Sequence, residues 1–198
     1  MIGSHGEYRE VKNYLIEKEG LTESKENAFV LITADGVQVD ILPFGDIESD
    51  GSVSVAGTGM TSIRVDGMKE VFQSGTELVD LEEGKPFKVA TMTGIALLKF
   101  IAYDDRPERR QKDARDIGNI LIHFFTLHED LIYDFHNDLF GEQERQLENI
   151  AAIVLGREMR KIIGENIGLL ARLEKILSSN IGNAAGSPVC TVDNRRDW

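Results

Sequence analysis

The sequence predicts an α+β protein whose strands lie in the first half of the chain and whose helices dominate the second half. Strand-like runs bounded by Gly, Pro and Asp occupy residues 28–90. Apolar residues at helical spacing occupy residues 93–177. We therefore expect a sheet-containing domain over residues 1–90, a helical domain over residues 91–177 and a polar tail over residues 178–198.

The first element is an amphipathic helix over residues 7–18, which Gly20 ends. Its apolar stripe is expected to contain Tyr8, Val11 and Tyr14, which recur at helical spacing.

A β-hairpin is expected next, because two β-rich runs, residues 28–34 and 37–42, are separated by Asp35-Gly36. This dipeptide between two strand-like runs is a strong hairpin signal. The rest of the first half is predicted from shorter patterns: a loop over 46–61 with a short strand at 53–55, a strand and a short helix within 62–74, and a second hairpin formed by 78–81 and 87–90.

The second half is predicted to be a series of helices. Pro107 is expected in the first turn of one of them, where its missing N–H costs nothing. The expected helices cover 93–103, 107–125, 128–139 and 143–177, the last broken near Gly156 or Gly164.

The composition excludes several classes of protein. The net charge of −12 disfavours broad contact with a nucleic-acid backbone. No apolar run reaches the roughly 18 residues of a membrane span, and no secretory signal begins the chain. Cys190 is the only cysteine, which excludes internal disulfides and cysteine-rich zinc sites and favours a reducing, cytoplasmic location.

One dense group of basic residues stands out against this acidic background. Arg109 and Lys112 each precede an aspartate by four residues, so pairs with Asp113 and Asp116 are expected on a helix. The group is either a solvated, self-paired helix face or a local patch for phosphate. Its members are Arg106, Arg109, Arg110, Lys112 and Arg115.

Asp40 is the first candidate functional residue. It lies inside a strand whose alternation places Val39 on one face and Gln38 and Asp40 on the other. Acids are depleted in strands. Asp40 is therefore either an exposed residue of an antiparallel sheet or one carboxylate of a metal site.

Lys99, Asp113 and Asp116 are the other candidates. Lys99 is the only charged residue of its apolar helix, so its ammonium either reaches water or meets phosphate or buried acids. Asp113 and Asp116 extend the inward stripe of Ile117 and Ile120 toward the start of their helix. Buried carboxylates need partners, and Lys99 on the preceding helix is the expected one, in either a structural or a catalytic cluster.

These residues belong to motifs that resemble a known family. VQVDILPFGDIE (37–48), GIALLKFIAYDDRPERRQKDARDI (94–117) and LGREMRKII (155–163) are similar to the nucleotidyltransferase-like proteins of the abortive-infection toxin type (AbiEii-like). The resemblance covers most of residues 7–177. It implies a DNA-polymerase-β-like fold with a mixed sheet, flanking helices and a following helical domain.

The resemblance also implies an activity, the Mg²⁺-dependent transfer of a nucleoside monophosphate from an NTP to an acceptor, in a toxin–antitoxin or phage-defence setting. Two metal ions held by carboxylates would neutralise the triphosphate. The acceptor would be RNA, protein or a small molecule, and a protein partner or an oligomer is compatible with the family.

Site residues follow from the same resemblance. Gly3 and Ser4 would form the phosphate-binding turn, and Asp40 would be the third metal-binding acid. Lys99 and Arg106 would contact the nucleotide. The acids of the helical motif, with a catalytic role, would be Asp113 and Asp116.

The sequence departs from the family pattern at one place. No strand with an Asp-x-Asp pair is predicted between Ser4 and Asp40, because Ser4 is followed at once by His5-Gly6-Glu7 and the predicted helix. One explanation is a non-catalytic member of the family, and the other is a segment missing between Ser4 and His5. Two further hypotheses therefore stand beside the enzyme: an interaction module, in which the apolar stripes of residues 143–177 form core or dimer surface, and an ion-paired structural protein.

Overall fold

The computed structural model describes residues 4–81, 84–141 and 145–181, which divide into two compact units, Met1–Lys69 and Glu70–Trp198. The fold class is α+β, as predicted. The division falls before the second hairpin, whereas the sequence boundary near residue 90 placed that hairpin in the first domain.

The first unit contains α1 and two small antiparallel sheets. One sheet has the order β1-β2-β3 and the other consists of β4 and β5. Phe29, Val53 and Val65 are almost completely buried in its core. The elements are α1 His5–Glu17, β1 Thr22–Glu23, β2 Val30–Ile32, β3 Gln38–Asp40, β4 Ser52–Ser54, β5 Ser62–Arg64 and α2 Met68–Ser74, the last of which continues into the second unit.

The Asp35-Gly36 hairpin is confirmed. Strands β2 and β3 pair antiparallel, with Leu31 opposite Val39. Gly36 has φ of +87°, a conformation that glycine adopts without a steric penalty. The Thr33 N–H donates to the Val37 carbonyl at 2.9 Å and closes the turn.

The predicted stripe of α1 is only partly correct. Tyr8 is buried, but Val11 and Tyr14 are 43% and 58% exposed, and Lys12 is buried in their place. Residues 8 and 12 lie one helical turn apart on the same face. That face packs inward because the Lys12 ammonium forms polar contacts inside the unit. A prediction from the spacing of apolar residues does not anticipate such contacts.

The second unit is a hairpin followed by a helical core. Leu97, Phe124, Ile132 and Leu155 are at most 1% exposed and come from four different helices. The elements are β6 Thr76–Leu81, β7 Lys85–Ala90, α3 Met92–Asp105, α4 Gln111–Leu127, α5 Glu129–Phe135, a 3-10 turn Asn137–Leu139, α6 Leu147–Ile163 and α7 Ile167–Ile181.

The helix boundaries correct two predictions. Helix α4 begins at Gln111, so Pro107 lies in the preceding turn rather than in a first helical turn. Arg106 has φ of −151° and ψ of 66°, which lie outside the helical region, as expected for a residue before proline. Helix α3 ends before Arg106 for this reason. Helix α7 extends to Ile181, beyond the predicted end at residue 177, and residues 182–198 of the predicted tail lie outside the described ones.

The break of the last predicted helix occurs at Gly164, which has φ of +59°, and not at Gly156, which is buried inside α6. All strand pairs in the described ranges are antiparallel, so the mixed sheet expected from the resemblance is not observed. The paired strands are close in sequence, and a parallel pair needs a longer crossover. One isolated parallel bridge joins Asn27 and Met60.

Within the described residues, no helix combines the length and apolarity that crossing a membrane requires.

Candidate functional site

Lys99 is presented by α3, whose start is fixed by a local cap. The Thr91 hydroxyl accepts a hydrogen bond from Gly94 N–H at 3.1 Å and donates one to the Gly75 carbonyl at 3.1 Å. A Cβ at Gly94 would lie 2.6 Å from the Gly75 oxygen, so only glycine permits this close approach. The beginning of α3 is therefore held firmly against the residue that precedes β6.

The structure brings Lys99 together with both aspartates of α4. Lys99 Nζ donates to Asp113 Oδ1 at 3.0 Å and to Asp116 Oδ2 at 2.7 Å. Asp113 and Asp116 lie on adjacent positions of one helical face, so a single ammonium reaches both. The predicted partnership is confirmed, and we call these three residues the Lys99 cluster.

The Lys99 cluster is partly withdrawn from solvent. The side chains of Lys99, Asp113 and Asp116 are 25%, 10% and 30% exposed. Arg110 Nη1 approaches the second oxygen of Asp113 at 3.4 Å. The two carboxylates thus share one close ammonium, and Asp113 has a longer guanidinium contact in addition.

The electrostatics of the cluster favour the charged forms of Lys99 and Asp116. Burial acts to lower the pKa of Lys99, but hydrogen bonds to Asp116 and Asp113 outweigh it and raise that pKa above its ordinary value. The hydrogen bond from Lys99 lowers the pKa of Asp116, and Lys112 and Arg115 act in the same direction from a distance. Lys99 and Asp116 therefore form an ion pair at neutral pH.

The basic group around residue 110 does not pair as predicted. Asp113 and Asp116 are bonded to Lys99, so the expected Arg109–Asp113 and Lys112–Asp116 pairs do not form. Arg109 precedes the first residue of α4, where helical spacing does not apply. In the described ranges no ion pair involves the exposed basic residues Arg106, Arg109, Lys112 and Arg115.

Asp40 is the last residue of β3 in the first unit, opposite Val30 of β2. Gln38 and Asp40 are exposed and Val39 is half-buried, so the predicted alternation is confirmed. Among the described residues, no three His, Cys, Asp or Glu side chains are grouped closely enough to hold a metal ion.

Ser4 has a structural task at the start of α1. Its hydroxyl accepts a hydrogen bond from Glu7 N–H at 3.2 Å, and its carbonyl accepts one from Tyr8 N–H at 3.1 Å. This is an N-cap, in which Ser4 is followed directly by the first helical residue, His5. Gly3 lies outside the described residues.

Two polar clusters were not anticipated from the sequence. In the first unit, Lys12 Nζ donates to the Ala28 carbonyl at 3.0 Å and pairs with Glu23 at 2.6 Å. Lys12 follows Tyr8 by one helical turn. That spacing was the available signal, because Tyr8 marks the buried face.

The second of these clusters contains His136, which is 3% exposed and bonds through Nε2 to Glu158 Oε1 at 2.8 Å. Next to it, Arg157 makes two bonds to Asp138, at 2.8 and 2.7 Å. His136 follows the buried Ile132 by four residues, so helical periodicity would have indicated its burial.

An open cleft of about 480 Å³ lies elsewhere in the second unit. Members of the Lys99 cluster are not among its lining residues. The lining residues are Leu139, Phe140, Gly141, Arg145, Gln146, Leu147 and Ile150.

Comparisons of the chain with protein-family models, with curated proteins and with solved structures find no match. The AbiEii-like resemblance therefore depends on the motifs of residues 37–48, 94–117 and 155–163.

Proposed function

We propose that this protein is an NTP- and Mg²⁺-dependent nucleotidyltransferase of the AbiEii-like type, which transfers a nucleoside monophosphate to an acceptor. The observation that supports this proposal is the Lys99 cluster. Its ammonium lies 3.0 and 2.7 Å from the two aspartates of the most specific resembling motif.

The chemistry of the cluster suits an NTP bound with Mg²⁺. A pair of carboxylates with one ammonium attracts a divalent cation, and the ammonium can also contact phosphate oxygens. Arg106 and Arg109 add exposed positive charge on the segment that joins α3 to α4. In the family pattern Asp40 supplies a metal ligand. Its carboxylate is exposed and available for such a role.

The test is nucleotide binding by the full chain in the presence and absence of Mg²⁺. We expect Mg²⁺-dependent NTP binding that is lost in Lys99→Ala and in Asp40→Ala. Transfer of label from α-labelled NTP then identifies the nucleoside monophosphate that moves. Lys161→Ala is the matched control, because Lys161 is 61% exposed and pairs with Glu158 instead of an aspartate of the cluster.

Unchanged NTP affinity in both Lys99→Ala and Asp40→Ala would defeat the assignment of the site. A melting temperature that no NTP raises would defeat nucleotide binding altogether, because a ligand that binds the folded state stabilises it by mass action.

A second candidate function is a non-catalytic interaction module on the same fold. The observation that favours it is that α1 begins directly after Ser4, with no acidic pair between Ser4 and α1 to hold metal. One carboxylate is insufficient for two divalent ions. This candidate predicts NTP binding without transfer of label, and light scattering at two protein concentrations measures whether a dimer forms.

A further inference from the structure

Three aromatic rings of the second unit are in contact near the end of α5. Tyr133 and Phe140 are stacked, with ring centroids 5.0 Å apart and planes inclined by 19°. Phe125 of α4 meets them edge-on, with centroid distances of 6.0 and 6.4 Å. Phe125 is 7% exposed, whereas Tyr133 and Phe140 are 54% and 41% exposed. The buried ring therefore supports two rings that remain open to solvent.

The segment that carries these rings is anchored to α6. Asp138 accepts two hydrogen bonds from the Arg157 guanidinium, and His136 is bonded to Glu158. Bidentate arginine–carboxylate contacts hold a defined geometry. Binding at the rings would consequently require little ordering of the protein, which favours affinity.

The exposed rings lie in an acidic stretch. Glu129 and Asp130 precede Tyr133 by four and three residues, so they share its helical face, and Asp134 follows it directly. All three acids are exposed, and none has an ion-pair partner in the part of the chain that the structure describes. Residues 122–141 contain no lysine or arginine. The local charge is thus strongly negative.

We infer that this surface is a docking site for a cationic amphipathic segment of a partner protein. The face of an aromatic ring attracts an ammonium or guanidinium group, and nearby carboxylates strengthen that attraction. The net charge of −12 draws a positively charged partner at long range. An acidic partner or a nucleic acid is repelled by the same charges.

The cleft beside Phe140 explains why the partner segment is amphipathic. Leu139 and Ile150 are buried at the cleft, and Leu147 is 53% exposed. The segment therefore places an apolar side chain in the cleft and its cationic side chain over Tyr133.

The test uses the full chain and a fluorescently labelled synthetic peptide in which leucine and lysine residues alternate from one helical turn to the next. An acidic twin of this peptide has glutamate in place of each lysine. We expect the basic peptide to bind in fluorescence anisotropy and the acidic twin not to bind. Tyr133→Leu keeps the apolar contact but removes the ring, and is expected to weaken binding about fivefold. Asp130→Asn with Asp134→Asn is expected to weaken it further.

The matched control is Glu165→Gln with Glu174→Gln, which changes net charge equally at two exposed positions outside α5. Equal weakening in this control, or equal binding of the acidic twin, would overturn the site. Residues 182–198 include Arg195 and Arg196. Tighter peptide binding after Arg195→Ala with Arg196→Ala would show that the chain's own tail occupies the surface, and would overturn the assignment to a partner.

The docking surface is separate from the proposed nucleotidyltransferase site. The peptide-binding readout involves no nucleotide, and none of its variants changes the Lys99 cluster.

Discussion

Lys12 in the first unit and Lys99 in the second are helical lysines whose side chains are largely buried. Their side chains are 10% and 25% exposed. Lys12 bonds to one backbone carbonyl, that of Ala28, and to one carboxylate, Glu23, which is 60% exposed. Lys99 bonds to two carboxylates, one of which, on Asp113, is nearly buried.

The difference separates a structural contact from a candidate site. Around Lys12 the charges balance, and its other neighbour is the neutral hydroxyl of Tyr8, whose pKa is raised by burial and by Glu23. The Lys12 contacts therefore hold α1 against β1 and against Ala28, two residues before β2. Around Lys99 negative charge exceeds the positive charge that lies within close hydrogen-bonding distance. A surplus of carboxylate charge is the condition that favours binding of a further cation.

The largest expected effect is that of Lys99→Met. The change leaves the nearly buried Asp113 carboxylate with only the longer Arg110 contact, and we expect the free energy of unfolding to fall by about 2 kcal/mol. Urea unfolding measures it. Adding Asp113→Asn should restore part of the loss, since it removes the uncompensated charge. A double variant less stable than Lys99→Met would contradict this account.

Lys12→Met should cost less, about 1 kcal/mol in the same urea experiment. Glu23 can turn to water, and the Ala28 carbonyl keeps the Tyr8 hydroxyl at 3.4 Å. If Lys12→Met is more destabilising than Lys99→Met, the proposed difference between the two lysines is wrong.

The pH dependence of stability distinguishes Asp116 from an ordinary exposed aspartate. Because its pKa is lowered in the folded state, its contribution is present at neutral pH and is lost as pH falls through about 4 and below. The stability difference between wild type and Asp116→Asn should therefore shrink in that range. The raised pKa of Lys99 predicts a corresponding loss as pH rises above about 10.4. A difference that stays constant from pH 7 to pH 3 would exclude the Lys99–Asp116 contribution.

The smallest effect is expected for Arg109→Ala. Arg109 is exposed and makes no ion pair within the described ranges, so stability should change by less than about 0.5 kcal/mol. Thermal unfolding measures the change. A clear loss of stability would support the self-paired helix face that the sequence predicted and the structure does not contain.

Short-range patterns made several features predictable from the sequence. Asp35-Gly36 between β-rich runs specified the first hairpin, because the turn depends on the backbone freedom of the glycine itself. The position of Asp113 and Asp116 on the inward face of α4 required a partner, and Lys99 was the only charged residue of the apolar helix predicted over residues 93–103.

Other features depended on residues far apart in the chain, and periodicity misjudged them. The inward face of α1 contains Lys12 instead of Val11, since Ala28 and Glu23 supply partners that local spacing does not reveal. Arg109 does not pair with Asp113, because Lys99 approaches from α3 and takes that carboxylate.

By itself, the sequence determined the α+β class, the hairpins and the membership of the Lys99 cluster, because these follow from turn residues, helical spacing and the cost of a buried charge. Only the tertiary structure decided that Lys12 is buried beside Tyr8 and that α4 begins at Gln111. The stacking of the solvent-exposed Tyr133 and Phe140 rings was also decided there. Those features are set by contacts between separate elements, whose energies depend on distance and burial and not on neighbouring residue types.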